Sequence, residues 1–252
     1  MKTEHTFTVE PGPYDDVINR QGEPVILNGK GAPCGLNPMF APAVYASRHN
    51  VLHDALSRAF YEYNTATGLW TVTTRESMHR KLNDLLIDIG NELGHQDLAA
   101  KERSDSKLAG ALNNLAALTD GRIDDRPHGY IHCRNGMLDV RTTELLPFDP
   151  KYKSRNATPF EWDPAATSPR FLNGLLGSAL SEEDIAVIQL YVGMCLLGRN
   201  LAQKILLVIG TPGGGKSALL TRHVNVVIFF MLPPHSGLTL LRSRRLHARG
   251  IC

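Results

Sequence analysis

The most constraining feature of the sequence is a short apolar run that leads into a glycine-rich loop. Residues 205–217 read ILLVIGTPGGGKS, and residues 210–217 satisfy the pattern G-x-x-x-x-G-K-[ST] at every fixed position. The five apolar residues before the loop are typical of a buried parallel strand, and Ser217 with the residues after it can begin a helix. Strand, loop and helix therefore follow one another in the order that a phosphate-binding loop requires.

The composition of this loop suits the chemistry of phosphate binding. Glycines let the backbone take positive φ and approach phosphates closely, so that main-chain N–H groups and the following helix N-terminus surround the anion. We expect Lys216 to contact the β- and γ-phosphates of ATP, and the Ser217 hydroxyl to help coordinate a phosphate-bound Mg²⁺. A glycine-rich turn that binds nothing is the alternative, but a chance match after a strand-like run is improbable. The predicted nucleotide-binding residues are Gly210, Thr211, Pro212, Gly213, Gly214, Gly215, Lys216 and Ser217, and Ser217 is also the predicted metal ligand.

Carboxylates are absent from the part of the sequence where hydrolysis would need them. Phosphoryl transfer requires an acidic residue that holds Mg²⁺ from a second strand, and a group that positions the attacking water. The last acidic residue is Asp184, whereas eight Lys and Arg residues follow it. The stretch after Lys216 is also short for a helix, a second strand and a completed sheet. We therefore expect a nucleotide-binding domain that is cut short, and we assign no catalytic residue.

The overall composition favours a globular protein of the cytoplasm. The chain has 252 residues, of which 42% are hydrophobic and 21% charged, which leaves room for one large or two small domains. No stretch is long and apolar enough for a membrane span, and the N-terminus lacks the apolar core of a signal peptide. The four cysteines show no paired spacing. His128 and His132 lie where the sequence indicates a turn into a strand, so we expect no metal site there.

The first half of the sequence predicts mostly helices. Residues 1–50 are rich in Pro and Gly and lack periodicity, which predicts a loop-rich or partly disordered segment. From Val51 onwards the apolar spacing predicts an amphipathic helix, and residues 63–72 predict a hairpin. The apolar residues taken for that first helix are Leu52, Leu56, Phe60 and Tyr63.

Two further helical segments are predicted downstream. Thr73 and Glu76 match a capping box that begins a helix. Its apolar residues recur at helical spacing: Met78, Leu82, Leu85, Leu86 and Ile89. More helix is expected over residues 97–118, with core positions at Leu108, Leu112, Leu115 and Leu118.

The pattern changes to strands between residues 129 and 150, and then returns to helix. Alternating apolar residues, an Asn135-Gly136 turn and a further strand at Thr142-Thr143 predict a small antiparallel meander. After a proline-rich stretch, Ser181 is the predicted N-cap of a helix whose first turn carries three acids. One apolar face is expected on that helix, formed by Ile185, Ile188, Val192, Cys195 and Leu196. Capping explains the acids better than catalysis does.

Several short blocks occur along the chain in one fixed order before the phosphate loop. They are HCRNGMLDV at 132–140, LPFDP at 146–150, FEWDP at 160–164, PRFL at 169–172, IQLYVG at 188–193 and LGRN at 197–200. In this order, from about Tyr61 to Leu220, the chain resembles phage and plasmid primase-helicases of the poxvirus type, which are superfamily 3 helicases. Their common order makes the resemblance specific although each block is short.

The resemblance implies an α+β N-terminal region of helices and a small antiparallel meander, then a helical oligomerisation collar, then the start of an α/β P-loop domain of the AAA+ type. It implies a homo-oligomeric ring, usually a hexamer, that unwinds DNA with ATP and Mg²⁺. The expected segments are a loop-rich N-terminus at 1–50, the α+β domain at 51–165, the collar at 166–202, an incomplete nucleotide-binding core at 203–227 and a basic tail at 228–252.

Only the phosphate loop carries the family's nucleotide contacts onto this chain. From about Val224 the sequence departs from the family pattern, which motivates the hypothesis of out-of-frame translation or a truncated gene. The arginines of this tail also fit a basic arm on DNA phosphates. We therefore expect an ATP-binding, catalytically incomplete phage, prophage or plasmid DNA replication protein. A non-enzymatic oligomerisation or partner-binding module remains the alternative, and a small-molecule kinase is disfavoured because such kinases place the loop near their start.

Overall fold

A computed structural model describes residues 12–197, 203 and 205–209 of the protein. These residues divide between two units. The first unit holds the described residues up to Arg126 together with Asp149–Arg155, and the second holds Pro127–Phe148 and the described residues from Asn156 onwards.

The first unit combines helices with two small antiparallel sheets. Strands β1 and β2 form one sheet, and β3, β4 and β5 form the other in that order. A 3₁₀ turn at Pro150–Tyr152 also belongs to this unit. The elements in chain order are α1 (Asp15–Gln21), β1 (Val25–Leu27), β2 (Pro33–Leu36), α2 (Phe40–Arg48), β3 (Val51–Asp54), β4 (Ala59–Asn64), β5 (Leu69–Thr73), α3 (Arg75–Glu92), α4 (Gln96–Glu102) and α5 (Asp105–Leu118).

The main core of the first unit lies between α2, α3 and α5. The predicted apolar face of α3 is confirmed, because all five of its residues are buried. Burial of each such side chain stabilises the fold by about 1.5–3 kcal/mol. On α5 the predicted core positions are confirmed except Leu118, which is 38% exposed. Leu118 is the last residue of the helix and lines an open cleft beside Val17 and Ala43.

The prediction of a loop-rich segment is wrong for residues 12–50. This stretch contains α1, β1, β2 and α2, and it contributes Phe40 and Val44 to the buried core. Its prolines occupy positions that regular structure tolerates, since Pro33 begins β2 and Pro42 lies in the first turn of α2. Pro and Gly content alone therefore underestimated the order of this segment.

The helix predicted from Val51 is also wrong, because residues 51–64 form the β3–β4 hairpin. Leu52 pairs with Tyr61 across the two strands, and the two pack in one cluster, whereas Phe60 packs in the main core. Leu56 lies in the turn and is 72% exposed. Leu52 and Phe60 therefore lie on different faces of the sheet, because Phe60 is the neighbour of Tyr61, the partner of Leu52, and successive residues of a strand alternate between faces. The predicted hairpin that follows is confirmed as β4–β5, with Tyr63 opposite Trp70.

The starts of α3 and α5 differ in detail from their predictions. The N-cap of α3 is Thr74, whose Oγ1 accepts a hydrogen bond from the Ser77 N–H at 3.2 Å. The predicted capping box was therefore wrong by one position: Thr73 still belongs to β5, and its hydroxyl donates to Glu62 over 2.6 Å. The helix expected over 97–118 is two helices, because Ser104 takes the extended backbone of an N-cap.

The second unit begins with the predicted antiparallel meander, which is confirmed. Its strands are β6 (Tyr130–Cys133), β7 (Gly136–Asp139) and β8 (Leu145–Leu146), in that order. The expected strand at Thr142-Thr143 is wrong. Those residues form a turn in which Thr143 has φ 61, and β8 begins after it. Residues 158–160 run beside β6 in the same direction, since the Thr158 N–H donates to the His132 carbonyl and the Arg134 N–H to the Phe160 carbonyl.

Helices complete the described part of the second unit. A π-helical segment at Arg170–Leu176 continues into α6 (Gly177–Ala179), and α7 spans Glu182–Leu196. The predicted cap is confirmed: the Asp184 N–H donates to the Ser181 Oγ at 3.2 Å, and that hydroxyl donates to Asp184 Oδ2 at 2.9 Å. Within the expected apolar face of α7, Ile188 and Cys195 are buried.

Candidate functional site

The residues that the sequence predicts to bind nucleotide lie outside the described part of the chain. The predicted nucleotide-binding and metal-binding residues therefore stay a prediction. They are Gly210, Thr211, Pro212, Gly213, Gly214, Gly215, Lys216 and Ser217.

The apolar segment that leads to this loop, residues 205–209, is described, and it has no regular secondary structure. Leu206 and Val208 pack against the cluster of Leu176 and Ile188, whereas Ile209 is 57% exposed. Among the described residues no strand pairs with this segment. The predicted buried parallel strand at residues 205–209 therefore stays a prediction. A strand is buried on both faces only when helices or sheet neighbours cover each side, and here one face is covered.

The helix beneath this segment offers an apolar surface. The Leu206 backbone is within hydrogen-bonding range of Tyr191, and burial raises the pKa of the Tyr191 hydroxyl. Burial also raises the pKa of the Cys195 thiol, so this thiol stays protonated near neutral pH. The three acids of α7 lie in its first turn, and the last of them, Asp184, is engaged with Ser181. The described part of α7 therefore packs against residues 205–209 and offers them no group for proton transfer.

Asn135, Gly136 and Asp139 of the HCRNGMLDV block stabilise the meander itself. The Asn135 side chain binds the backbone of Trp162 through two hydrogen bonds of 3.0 and 2.8 Å. Gly136 has φ 153, and a Cβ there would lie 2.6 Å from the Leu146 carbonyl oxygen. Asp139 accepts from the Arg141 N–H at 2.9 Å, and this bond with the Arg141 guanidinium lowers the pKa of the carboxyl. These residues therefore shape turns and strand junctions.

The two histidines considered in the sequence lie in different surroundings, and His128 is exposed. His132 is buried, and its ring lies 5.0 Å from that of Phe148. Its backbone carbonyl accepts from the Thr158 hydroxyl at 3.0 Å. Within the described ranges, no three His, Cys, Asp or Glu side chains are grouped so that they could hold a metal ion.

A polar cluster in the first unit was missed by sequence reasoning. Glu62 of β4 accepts hydrogen bonds from the Tyr45 hydroxyl at 2.5 Å, from the Thr73 hydroxyl at 2.6 Å and from the Lys81 ammonium at 2.5 Å. Burial alone would raise the pKa of Glu62, but the three donors outweigh it and hold the pKa below its ordinary value. Burial and the contact with Glu62 raise the pKa of the Tyr45 hydroxyl. Glu62 is therefore an anion with a full set of donors.

This cluster forms one wall of an open cleft of about 380 Å³. The other lining residues are Arg48, His49, Asp84, Leu85 and Asp88. Since Lys81 already pairs with Glu62, the charges of this pair cancel locally. The four residues of the cluster come from α2, β4, β5 and α3, so its clearest role is to join these elements. No short sequence motif could have revealed it, because the partners are 11 to 19 residues apart.

No helix in the described part of the chain is long and apolar enough to span a membrane. A protein-family model described as "D5 N terminal like" matches residues 45–179. Its members are the N-terminal regions of phage and poxvirus primase-helicase-like proteins. The match runs from within α2 to the end of α6, and residues 205–217 lie beyond it. No curated protein matches the sequence.

Proposed function

We propose that this chain, which belongs to the D5 N terminal like family, is an ATP-binding DNA replication protein. The family is shown because its match covers more than half of the residues of the chain, and it relates the chain to phage and viral replication proteins. We propose that the protein is similar in function to superfamily 3 helicases and that its partner is DNA. Its proposed assembly is a homo-oligomeric ring, such as a hexamer. The proposed location is the cytoplasm of the cell in which a phage, prophage or plasmid replicates.

The observation that carries this proposal is the order of two features in one chain. A domain of the replication family occupies residues 45–179, and a full phosphate-loop pattern follows at 210–217. Between them, Leu206 and Val208 of the segment 205–209 pack against the cluster of Leu176 and Ile188, immediately before the loop in the sequence. In the sequence, the apolar run followed by the glycine-rich loop has the order of phosphate-binding sites.

In the proposed complex, Lys216 contacts the β- and γ-phosphates and the Ser217 hydroxyl coordinates Mg²⁺. The glycines of the loop let the backbone N–H groups approach the phosphates. Hydrolysis also needs a carboxylate on the metal, and no Asp or Glu follows Asp184 in the sequence. We therefore infer that this chain on its own holds ATP without turning it over.

The test is a pair of measurements on the full chain with a fluorescent ATP analogue and Mg²⁺. Wild type is expected to bind, and Lys216→Ala to lose at least about tenfold in affinity, because one charge-assisted contact is worth about 1.5–3 kcal/mol. Lys101→Ala, at an exposed position of α4, is the matched control and should bind as wild type does. Absence of binding in wild type would contradict the proposal.

The second measurement is ATP turnover with and without DNA. No turnover above background is expected, because the metal would lack its carboxylate. Magnesium-dependent turnover that disappears in Lys216→Ala would show that the inference of an incomplete site is wrong, while ATP binding itself would stand.

A non-enzymatic oligomerisation or partner-binding module is the second candidate, and exposed apolar side chains in the second unit favour it. Leu190 on α7 is 71% exposed, and Leu172 and Val187 are also exposed. Light scattering after size exclusion would test self-association, and mixing with an intact relative would test co-assembly. A monomer that fails to co-assemble would remove this candidate.

A further inference from the structure

We propose that Asn28, in the turn between β1 and β2, is a site of covalent modification at which the side-chain amide is lost through a cyclic imide. The chain contains three Asn-Gly pairs, at 28–29, 135–136 and 173–174. A glycine after asparagine leaves the next backbone nitrogen uncrowded, and that nitrogen is the attacking group of this reaction. The structure places the three pairs in different surroundings, and the pair at 28–29 is the one whose reacting atoms are available.

The reaction needs water as its only co-reactant. The Gly29 nitrogen attacks Asn28 Cγ, so that an N–Cγ bond forms and the nitrogen gives up its proton. The Cγ–Nδ2 bond then breaks, and Nδ2 leaves as ammonia with that proton. Water afterwards opens the five-membered ring at either of its two carbonyls. The products are aspartate and isoaspartate, in which the main chain runs through Cβ.

Two backbone N–H groups hold the side-chain carbonyl of Asn28. Its Oδ1 accepts from the Lys30 N–H at 2.9 Å and from the Ala32 N–H at 3.0 Å. Attack at Cγ moves negative charge onto this oxygen, and donors that are already aimed at it stabilise the tetrahedral intermediate. The bond to Lys30 also folds the side chain back over the turn that contains the attacking nitrogen.

The attacking nitrogen and the leaving nitrogen are both accessible. Among the described residues, neither the Gly29 N–H nor Asn28 Nδ2 makes a hydrogen bond. Both residues are exposed, and a Cβ added at Gly29 would meet nothing within 4 Å. Ring closure rotates the Asn28 carbonyl and gives up its bond from the Gly31 N–H, which is 2.9 Å long. One exposed turn bond is therefore the backbone cost of the reaction.

The corresponding atoms of Asn135 are engaged. Its Nδ2 donates to the Trp162 carbonyl at 3.0 Å, and its Oδ1 accepts from the Trp162 N–H at 2.8 Å. Gly136 is buried and pairs with Cys133 in the β6–β7 ladder. Attack on this amide would have to separate the side chain from Trp162 and lose both bonds, so the structure protects this pair.

Asn173 is protected by its backbone. Asn173 and Gly174 lie inside the π-helical segment Arg170–Leu176, and the Gly174 carbonyl accepts from the Ser178 hydroxyl at 2.7 Å. A five-membered imide brings the Cβ–Cα–C–N torsion of the asparagine close to zero, which is far from a helical conformation. The helix must therefore open locally before this pair can react.

The modification changes the tip of the β1–β2 hairpin, where residues 26–34 are all exposed. Aspartate at position 28 adds one negative charge beside Lys30. Isoaspartate adds one carbon to the main chain, inside a turn that the Asn28 N–H closes by donating to the Ala32 carbonyl at 2.8 Å. The change therefore falls on the surface of the first unit and not on its core.

The experiment compares the three pairs within one protein. The full chain is incubated at mildly alkaline pH in water enriched in heavy oxygen, once folded and once in guanidinium chloride, and peptide mass spectrometry follows amide loss at each asparagine. In denaturant the three pairs are expected to react at similar rates. In the folded chain Asn28 should keep its rate, whereas Asn135 and Asn173 should react at least about tenfold more slowly, because each must first give up hydrogen bonds.

The products identify the route. Hydrolysis of the imide should give both aspartate and isoaspartate at position 28, each with one heavy oxygen, whereas direct hydrolysis of the amide gives aspartate alone. The rate should also rise with pH, since the attacking nitrogen must lose its proton.

The matched variant is Gly29→Ala. Position 29 does not require positive φ and has room for a Cβ, so the variant should fold as wild type does. Its methyl group crowds the attacking nitrogen, and amide loss at Asn28 should slow several-fold. The inference would be overturned if folding slowed Asn28 as much as the other two pairs, or if position 28 gave aspartate without isoaspartate.

Discussion

The side-chain amide of Asn135 binds the backbone of Trp162 in both directions: Nδ2 donates to the Trp162 carbonyl at 3.0 Å, and Oδ1 accepts from the Trp162 N–H at 2.8 Å. This pairing holds the FEWDP segment beside the turn that joins β6 to β7. It joins two of the sequence blocks through residues that are 27 positions apart.

Replacement of this asparagine should destabilise the second unit. Asn135→Ala removes both bonds, and we expect a loss of about 1–3 kcal/mol in the free energy of unfolding, measured in urea. Asn135→Asp keeps the acceptor and loses the donor, so its loss should be smaller. Equal stability of Asn135→Ala and wild type would contradict the structural role assigned to this residue.

Gly136 and Gly110 should respond in opposite ways to alanine. At Gly136 the backbone φ of 153 opposes a side chain, and so does the Leu146 carbonyl oxygen, which would lie 2.6 Å from an added Cβ. We expect Gly136→Ala to cost at least about 1–3 kcal/mol. Gly110 lies inside α5 with open space around it, so Gly110→Ala should stabilise the chain by about 0.5–1 kcal/mol. Urea denaturation of both variants checks the contrast.

The Glu62 cluster predicts a dependence of stability on pH. The pKa of Glu62 is lowered in the folded protein, so folding favours the charged carboxylate, and this stabilisation is present above the ordinary value of 4.5. It is lost as the pH falls through the folded-state pKa. The difference in unfolding free energy between wild type and Glu62→Gln should therefore be largest near neutral pH and shrink below about pH 4.5.

The control for this measurement is Glu76→Gln, at an exposed position on α3. Its difference from wild type should be small at every pH, since a surface charge contributes about 0–1 kcal/mol. A Glu62→Gln difference that does not change between neutral and acidic pH would contradict the charge assignment of the cluster.

Leu115 and Leu118 of α5 offer a direct test of where the core ends. Leu115 is 0% exposed and Leu118 is 38% exposed. Leu115→Ala should cost about 2–5 kcal/mol, because it removes buried methyl groups and leaves a cavity. Leu118→Ala should cost less than half as much, by thermal or urea unfolding. Equal losses would mean that both side chains are packed alike.

The sequence was sufficient to predict elements whose local patterns agree with one another. In α7, the Ser181 cap, the first-turn acids and the spacing of Ile188 and Cys195 all indicate a helix from the same start. The meander is similar in its strands, but the predicted Asn135-Gly136 turn was wrong by one position, since Arg134 and Asn135 form the turn and Gly136 already pairs with Cys133. The β3–β4 hairpin was mistaken for a helix because Leu52, Leu56 and Phe60 happen to be four apart, a spacing that both structures permit locally.

Features that depend on distant residues could not be read from local patterns. Glu62 meets Tyr45 and Lys81 only after β4 is placed between α2 and α3. Arg103 likewise donates to Asn83, and Arg75 to Asn113, across 20 and 38 positions of sequence. The phosphate loop differs, because its whole pattern lies within eight consecutive residues and could be recognised from the sequence. Its binding of nucleotide stays a prediction.

The chain segment beside β6 has a consequence for how copies of the protein can associate. The outer edge of β6 is occupied by the polypeptide around Thr158 and Phe160, through backbone hydrogen bonds that run parallel to the strand. That edge therefore has no vacant register for an incoming strand, and edge-to-edge polymerisation through β6 is blocked. A second copy that approaches this edge would meet side chains such as Phe160, which is 39% exposed, instead of unpaired backbone groups of β6.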